Sequence, residues 1–437
     1  MGNNKKISFG FRGWMVILYQ AIGFYLYVVY NSFAQNIQAT GNEMMYGWSA
    51  ARVPTVYTIT IIIGVIFQVI FARRIVNARN IKRISVLFMI LSVICGFGMA
   101  TIFLNEVLWL LLFALGIFFS NIGCTLVMGI LIGQWFPRRK GTAMGIATLA
   151  FPITTGALLS IFAANYFTKG PLMAYLPFLL VAIAGIIIGL VFVKDYPEQC
   201  GCYRDNDENM TFEMAQAMMK QEIEAKKTSV WTLKNTLKCR DFWFGTITLG
   251  ILLATSVGAM AQLTNILNVY PEFYAKYGTI AMILVTIIAC LGSYLLGLVD
   301  TRFGTKTSII ISCIFAIVSG VLGLIPNQYS LVIGLLLLCV FMGSASNFVV
   351  SFSAQYWRRE DFPSVYAVAN PVSNIIQAFG PMMVAMIGFR IGFHQAFGVI
   401  GVLGVAALIL ICLFSPAHIR ETDRKYRQAA GLSADDN

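Results

Sequence analysis

The chain is a succession of long apolar runs separated by short polar stretches. Twelve of these runs are long enough to cross a hydrocarbon core of about 30 Å, which takes roughly 20 helical residues. Their approximate positions, numbered in chain order as spans 1 to 12, are 13–36, 52–72, 84–104, 107–135, 142–165, 172–193, 242–268, 278–299, 307–325, 330–356, 364–388 and 393–414. The pattern predicts an all-α integral membrane protein with twelve transmembrane helices.

The charged residues fall almost entirely between these runs. Of the 437 residues, 58% are hydrophobic and only 11% are charged, against about 25% charged in soluble proteins. A charge at the centre of a bilayer costs at least a few kcal/mol. The chain is therefore expected to have the lipid bilayer as its surroundings and to meet its solute there with neutral polar groups.

The basic residues predict the orientation in the membrane. Most of the 31 Lys and Arg residues lie on the side that holds both termini and the central loop, and the exceptions are Arg52, Lys169, Lys276 and Arg390. Because Lys and Arg concentrate in cytoplasmic loops, both termini are predicted to be cytoplasmic, in a multi-pass protein of the cell inner or plasma membrane. The net charge of +12 is scattered over many loops, which argues against a nucleic-acid partner and favours contact with anionic lipid.

One long polar stretch divides the spans six and six. It covers 194–241 and separates an N-terminal six-helix half, 1–193, from a C-terminal half with a cytoplasmic tail, 242–437. The halves resemble each other, since a glutamine, aromatic residues and a basic pair follow span 4 at Gln134 to Lys140 (QWFPRRK) and span 10 at Gln355 to Arg359 (QYWRR). A duplicated six-helix unit predicts such matching decorations.

The central loop contains one further helical pattern. Residues 211–227 place Met and Ile at helical spacing with charges between them. This pattern predicts either an amphipathic helix on the inner membrane surface or a solvated linker helix.

No catalytic or metal-binding constellation is present in the sequence. The two histidines, His394 and His418, have no Cys, Ser or carboxylate partner nearby, and there is no phosphate-binding Gly-rich motif with Lys. Cys200, Cys202 and Cys239 lie in the central loop without a His to complete a zinc site. We therefore expect no enzyme activity, no cofactor and no metal.

Neutral polar residues form stripes on several spans. In span 11 they recur at offsets of 0, 4, 7, 8 and 11, which places them on one helix face, and spans 1, 4, 7 and 10 carry similar faces. One such stripe could join two helices, but five on different spans favour a shared aqueous cavity. The candidate substrate-binding residues, with Ser293 of span 8 added, are Tyr27, Tyr30, Asn31, Asn121, Gln262, Ser293, Asn347, Tyr366, Asn370, Asn374 and Gln377.

Twelve spans, a central loop and basic hairpins resemble the major facilitator superfamily. The segment Asp300 to Lys306 (DTRFGTK), preceded by Gly297, is similar to its inter-helix signature of Gly, acidic residue, basic residue and Gly. The matching segment of the first half, Arg79 to Arg83 (RNIKR), keeps the basic end and lacks the acidic residue. The resemblance implies two pseudo-symmetric halves and gating by charged residues at the cytoplasmic face, for which the candidates are Asp300, Arg302, Arg138, Arg139, Arg358 and Arg359.

Further motifs resemble the oxalate:formate antiporter and monocarboxylate transporter branch. They are Gly47-Trp48-Ser49 before span 2, the WFPRRKG segment before span 5 and the YPE segment after span 6. The branch implies small organic anions bound in part by a basic residue of span 8. Ser293 stands at that position here, and span 11 has no Lys.

These observations predict a secondary active or facilitative transporter that works by alternating access, as a monomer. The favoured substrate is a small monocarboxylate-type organic acid, and the alternative is a neutral, zwitterionic or larger amphipathic solute. Apart from His394 at the outer start of span 12, no carboxylate or His lies inside the spans, so facilitated diffusion or solute exchange is predicted over tightly proton-coupled symport. A nontransporting membrane sensor on the same scaffold is the alternative of another class.

Overall fold

The computed structural model describes residues 9–49, 52–76, 80–102, 104–207, 210–227 and 229–432. Within these ranges the chain is almost entirely helical and forms no strand. Ten of the described helices are long and apolar enough to cross a membrane, and Thr55–Phe71 is a shorter apolar helix. Thr55–Phe71 belongs to span 2. The ten long helices, span 2 and the interrupted span 5 make up the twelve crossings, so the predicted fold is confirmed.

The helices of the N-terminal half follow the predicted spans in order. They are Gly10–Tyr30 with Ser32–Tyr46, then Arg52–Val76, Ile81–Thr101, Glu106–Trp135, the consecutive pieces Lys140–Ala147, Ala150–Ile153, Thr154–Leu158 and Leu159–Lys169, and finally Pro171–Val191. Spans 1, 3, 4 and 6 pack against one another in this half.

The C-terminal half repeats the arrangement. Its helices are Arg240–Ala261 with Leu263–Leu267, then Pro271–Phe303, Thr305–Leu324, Gln328–Tyr356, Phe362–Arg390 and Phe393–Leu413. Span 7 packs on span 11, span 9 on spans 10 and 12, and span 8 on span 10. The two halves meet chiefly where span 2 packs on span 11 and span 5 on span 8.

Several helices are longer than the apolar runs that predict them. Span 8 has 33 residues, Pro271–Phe303, which at 1.5 Å per residue makes about 50 Å and exceeds the hydrocarbon core. Span 3 begins at Ile81, three residues before the predicted 84, and so includes Lys82 and Arg83. A helix satisfies its own backbone hydrogen bonds and can continue into the headgroup region, so these helix ends extend beyond the predicted spans and carry charged residues there.

The lipid-facing surface is visible on span 2. Ile59, Ile63, Ile66 and Ile70 are 52%, 55%, 53% and 65% exposed, and their offsets of 0, 4, 7 and 11 place them on one face. A contiguous apolar face of this kind needs a hydrocarbon partner. Its opposite face, with Tyr57, Ile61 and Val65 buried, packs inward.

The start of span 1, the described part of the central loop and the tail helix Pro416–Ala429 lie on one face of the protein, called the loop face below. The first residues of span 1 adjoin the central loop, since Gly10 lies against Asn206. The tail helix Pro416–Ala429 binds the end of the same loop, where Trp231 Nε1 donates a 2.8 Å hydrogen bond to Asp423. The helix predicted at 211–227 is present as Phe212–Lys227. The opposite side of the protein is called the far face.

Candidate functional site

A cavity lies between the halves, midway along the helices. About 660 Å³ of space without protein atoms, open solvent included, lies between its lining residues. Six of the predicted substrate-binding residues line it: Tyr27, Asn31, Tyr366, Asn370, Asn374 and Gln377. The polar stripe of span 11 thus faces this cavity, as its spacing predicts.

The sequence analysis missed an aromatic wall on the N-terminal half. Phe151 of span 5 lies beside Phe24 and Tyr27 of span 1, with ring centroids 4.8 Å and 6.1 Å apart. All three rings line the cavity. Phe residues on apolar helices carry no signal that separates a cavity wall from a helix contact, so the sequence could not identify Phe24 and Phe151.

Three hydroxyl residues add to the lining. Thr125, Thr155 and Ser346 border the cavity from spans 4, 5 and 10. The phenol of Tyr366 donates a 3.2 Å hydrogen bond to the carbonyl of Thr125 and so joins the two halves at the cavity wall. For Thr155 the signal was available, because Thr148 and Thr155 are seven residues apart and share one face of span 5.

The cavity wall is electrically neutral. Of the described residues that border it, none has an ionisable acid or base other than a phenol. Asn370 is 7% exposed, and its Nδ2 group has no hydrogen-bond partner. A buried donor without a partner is costly. A bound solute with an oxygen acceptor would therefore gain from meeting Asn370.

Irregular helix geometry coincides with the cavity. Span 1 is interrupted at Asn31, whose backbone is extended. Span 4 widens into a π-helix at Asn121–Val127, which contains Thr125, and span 5 does so at Thr154–Leu158, which contains Thr155. π-Helical turns are frequent at functional sites, and broken helices are typical of transporter binding sites.

Asn121 lies just behind the cavity wall. It borders a smaller space of about 290 Å³ together with Tyr27, Asn374 and Gln377. Its Oδ1 atom accepts a 2.9 Å hydrogen bond from Gln68 Nε2. This predicted residue therefore adjoins the site while also joining spans 2 and 4.

Two predicted residues lie away from the cavity. Tyr30 is fully buried within the N-terminal half, where its phenol donates a 2.6 Å hydrogen bond to the Ser92 carbonyl and its ring covers Gly116. Gln262 ends the main helix of span 7 and accepts a 2.8 Å hydrogen bond from Asn265. Tyr30 shares a stripe with Tyr27, but the helix turns its side chain toward spans 3 and 4 instead.

Ser293 and Asn347 meet at a contact between the halves, on the loop side of the cavity. Thr148 Oγ1 lies 2.9 Å from Ser293 Oγ and accepts a 2.9 Å hydrogen bond from Asn347 Nδ2. All three residues are almost completely buried. In this conformation they close the loop side of the cavity and do not line it.

Span 5 and span 8 close the loop side further by a contact of small residues. A Cβ atom on Gly297 would lie 2.9 Å from the Gly141 carbonyl oxygen and 3.3 Å from Gly145 Cα. The hydroxyls of Thr142 and Thr301 lie 3.0 Å apart one turn further on. Glycine at these positions allows the two backbones to touch.

Asp300 lies in this contact, as the gating prediction requires. It is 6% exposed, accepts a hydrogen bond from Thr305, and its Oδ2 atom would be 2.5 Å from a Cβ on Gly141. Lys140, 9% exposed, interacts with it electrostatically from the other half. Arg302, predicted to gate with Asp300, is exposed at the end of its helix.

The central loop supplies a carboxylate that the sequence analysis missed. Asp205 has a left-handed backbone, with φ of 55°, and accepts hydrogen bonds of 3.0 Å and 2.9 Å from the backbone N–H groups of Arg138 and Arg139. Burial raises the pKa of Asp205, although these hydrogen bonds and the charge of Arg359 act to lower it. Asp205 thus links the basic loop of one half electrostatically to that of the other.

The remaining arginines of the predicted gate have other contacts. The Arg138 side chain is 81% exposed and reaches Asp207 at 3.5 Å. Arg358 donates a 2.9 Å hydrogen bond to Asp423 of the tail helix, within its own half. Arg427 also binds Asp423, at 3.1 Å. Arg359 of the second basic pair acts electrostatically on Asp205 of the central loop.

A second cavity adjoins the first in the direction of the far face. Its space without protein atoms, open solvent included, is about 1,010 Å³, and it is bordered by the far-face portions of spans 1, 5, 7 and 8 and by Met342 of span 10. Thr155 and Met342 border both cavities. The space between the halves is therefore closed toward the loop face and extended toward the far face.

Among the residues that the structure describes, no group of three or more His, Cys, Asp or Glu side chains is placed to hold a metal ion. Cys200 and Cys202 lie close together in the central loop, where the Cys202 thiol contacts the Cys200 carbonyl at 3.9 Å. Burial raises the pKa of Cys202 to about 11, which disfavours the thiolate form that binds metals.

Comparisons with known proteins bear on the fold and on the family. Residues 242–434 match the family model of the Major Facilitator Superfamily. The fold is similar to that of the MFS (major facilitator superfamily) proton:xylose symporter XylE bound to 6-bromo-6-deoxy-D-glucose, at 14% identity and a TM-score of 0.67, over 92% of this chain and 96% of that chain. It is also similar to the human organic anion transporter MFSD10 (TETRAN), at 13% identity and a TM-score of 0.62, over 91% and 97%.

A double Trp mutant of XylE gives a similar result, at 14% identity and a TM-score of 0.68, over 94% of this chain and 98% of that chain. No curated protein sequence matches this chain. At such identities the structural likeness establishes the fold, with two six-helix halves. The family match covers the C-terminal half of the chain. The resemblance to the oxalate:formate and monocarboxylate branch stays a prediction.

Proposed function

We propose that this protein transports a small organic solute by alternating access between the loop face and the far face. The observation that carries the proposal is the neutral polar cavity between the halves, closed toward the loop face and continued toward the far face. Alternating access requires that the contacts on the closed side open while those on the other side form. The Thr148, Ser293 and Asn347 cluster and the contact of span 5 with span 8 would open in that step.

The substrate class that we propose first is a monocarboxylate-type organic acid. The cavity supports this class because the unpaired Asn370 Nδ2 group and the other amides of span 11 can donate hydrogen bonds to a carboxylate. The sequence motifs shared with the monocarboxylate branch support it as well.

A neutral, zwitterionic or larger amphipathic solute is the second candidate. It is favoured by the absence of basic side chains among the described residues of the cavity wall. An anion bound there would receive hydrogen bonds but no direct ion pair, which makes the charge-assisted contribution smaller.

The mode of transport that we propose is facilitated diffusion or exchange, as in an antiporter. Proton coupling inside a membrane relies on carboxylates or histidines, and the described lining of the central cavity contains neither. His394, near the far face, bonds Tyr270 at 3.2 Å and lies outside that lining.

The gate that we propose lies at the loop face, with Asp300, Lys140, Asp205 and Arg359 as its charged members. We assign the loop face to the cytoplasm of the cell inner or plasma membrane on the distribution of Lys and Arg. The units that move would be 1–193 and 242–437, joined by 194–241, within a monomer.

A ligand screen followed by flux measurement tests the proposal. Thermal unfolding of the purified protein would be followed with organic acids, betaines and amphipathic acids, and the most stabilising solute would be used for counterflow in proteoliposomes. We expect saturable counterflow that Asn370→Leu weakens, while Phe379→Leu, a change at a 54% exposed position on the same span, leaves it intact. Stabilisation by a solute without any flux would contradict the transporter and indicate a sensor.

A further inference from the structure

We infer that the preferred substrate is a small zwitterion, with a quaternary ammonium group at one end and a carboxylate at the other. The inference rests on the proposed transport function and selects the zwitterion of the second substrate class over the organic acid proposed first. It follows from three properties of the central cavity taken together: a cluster of aromatic rings, a row of amides opposite it and a wall without formal charge.

The aromatic cluster forms the cation-binding side. Phe24, Tyr27 and Phe151 meet at an angle, with the Phe24 and Phe151 planes inclined by 38° and the Tyr27 and Phe151 planes by 90°. All three rings line the cavity. A quaternary ammonium group is recognised by the faces of aromatic rings and needs no carboxylate partner.

The amides form the carboxylate-binding side. Asn370, Asn374 and Gln377 have offsets of 0, 4 and 7 along span 11 and share one helix face, which lines the same cavity. The Nδ2 group of Asn370 is buried and has no hydrogen-bond partner in the protein. An acceptor oxygen on the solute would satisfy this donor, and a carboxylate forms stronger hydrogen bonds to amides than a neutral carbonyl does.

The neutrality of the wall selects the net charge. An anion or a cation in this cavity would carry a charge that no described side chain of the wall balances, and desolvating an unbalanced charge is expensive. A zwitterion brings its own opposite charge and has no net charge to balance. The same wall therefore accepts both ends of a zwitterion and disfavours an ion that has only one of them.

The two binding sides belong to different halves of the protein. The rings come from spans 1 and 5 and the three amides from span 11. A zwitterion that touches both sides would draw the halves together over the cavity. Substrate binding would in this way be coupled to closure toward the far face, where the second cavity now adjoins the site.

Three probes of almost equal shape test the inference. Glycine betaine has both charged groups, tert-butylacetate replaces its ammonium nitrogen by carbon, and choline replaces its carboxylate by an alcohol. Binding of each to the purified full-length protein would be measured by calorimetry and by thermal stabilisation. We expect glycine betaine to bind about tenfold more tightly than either single-charge analogue.

Two variants assign the two ends. Phe151→Leu should reduce the preference for glycine betaine over tert-butylacetate and leave the preference for glycine betaine over choline unchanged. Asn370→Leu should reduce the preference for glycine betaine over choline and leave the preference over tert-butylacetate unchanged. Phe379→Leu, which removes an exposed ring from span 11, serves as the matched control and should keep both preferences. Measuring ratios within each variant removes any general loss of stability from the comparison.

The outcomes separate the inference from the proposed function. Equal or tighter binding of tert-butylacetate, with counterflow of that acid, would overturn the zwitterion and support organic-acid transport. Equal or tighter binding of choline would overturn it as well. If the wild-type protein binds glycine betaine but carries no solute across proteoliposomes, the binding preference stands and the transporter is contradicted.

Discussion

Thr148 is the residue on which closure toward the loop face depends most. Its hydroxyl meets both Ser293 and Asn347, and all three are buried. Each partner would be left without this hydrogen bond if the hydroxyl were removed. A buried polar group that loses its partner costs about 1–3 kcal/mol.

Thr148→Val should therefore destabilise the loop-closed conformation selectively. We expect a cysteine introduced at Ser346, which lines the cavity, to become more reactive toward a membrane-impermeant reagent added from the loop side. Thr168→Val, at an exposed threonine near the far-face end of the same span, is the matched control. An unchanged labelling rate in Thr148→Val would contradict the role of this cluster.

Asp361, at the loop face, makes stability depend on pH. Burial raises its pKa from 3.8 to about 6, with Glu360 and Asp423 adding to the rise, although Ser229 and Arg427 oppose it. The folded protein then holds the proton more tightly than the unfolded chain does. The stabilisation that Asp361 contributes is therefore fully present below its ordinary pKa of 3.8 and is lost as the pH rises through about 6.

We expect the melting temperature of the detergent-solubilised protein to lose the contribution of Asp361 as the pH rises from 3.8 to about 6. The Asp361→Asn variant should not show this loss. Asp207→Asn, a change to a surface carboxylate with a 3.5 Å contact to Arg138, is the control and should retain the wild-type profile. The attribution to Asp361 fails if Asp361→Asn melts with the same pH dependence as the wild type.

The individual site residues were predictable only where spacing alone determines the environment. Span 11 was predicted well, because Asn370, Asn374 and Gln377 share one face and that face meets the cavity. Tyr30 and Ser293 have the same kind of spacing, yet they face neighbouring helices. A stripe defines a helix face, and only the packing decides whether a cavity or a helix lies opposite.

At the level of the helices, the contact of span 5 with span 8 is the element that closes the loop face. Gly297→Val should prevent this contact, since even a Cβ atom would lie 2.9 Å from the Gly141 carbonyl oxygen. We expect spin labels on the loop-face ends of these two spans to move apart in double electron–electron resonance. Gly64→Val is the control, because a Cβ atom there meets only Phe118 at 3.7 Å, and it should keep the wild-type distance distribution. If Gly297→Val also keeps the wild-type distance distribution, the proposed contact of span 5 with span 8 is refuted.

The existence of the helices was predicted from hydrophobicity, whereas their interruptions were not. The break at Asn31 and the π-helical turns at Asn121–Val127 and Thr154–Leu158 lie within apolar runs. Pro152 precedes the last of these turns, but Pro371 and Pro381 lie inside the continuous helix Phe362–Arg390, so such residues do not by themselves identify an interruption. A π-helical turn adds one residue to a hydrogen-bonded loop and is stabilised by tertiary contacts, so local sequence preference does not report it.

At the scale of the whole molecule, the repeated motifs predicted two six-helix halves, and the fold confirms them. The conformation could not be predicted, because the same sequence must form contacts on either side of the membrane in turn. Asp205 illustrates the limit. It lies in the central loop, outside any repeated motif, and reaches the basic loops of both halves only through the fold.

The most direct test of alternating access is a reversible cross-link at the closed face. The Thr142 and Thr301 hydroxyl oxygens lie 3.0 Å apart on opposite halves, close enough for a disulfide between paired cysteines. Thr142→Cys with Thr301→Cys, in a background without the nine native cysteines, would be assayed for counterflow in proteoliposomes, with each single variant as control. The account predicts that oxidation abolishes counterflow in the paired variant alone and that reduction restores it. Full counterflow through completely cross-linked protein would contradict it.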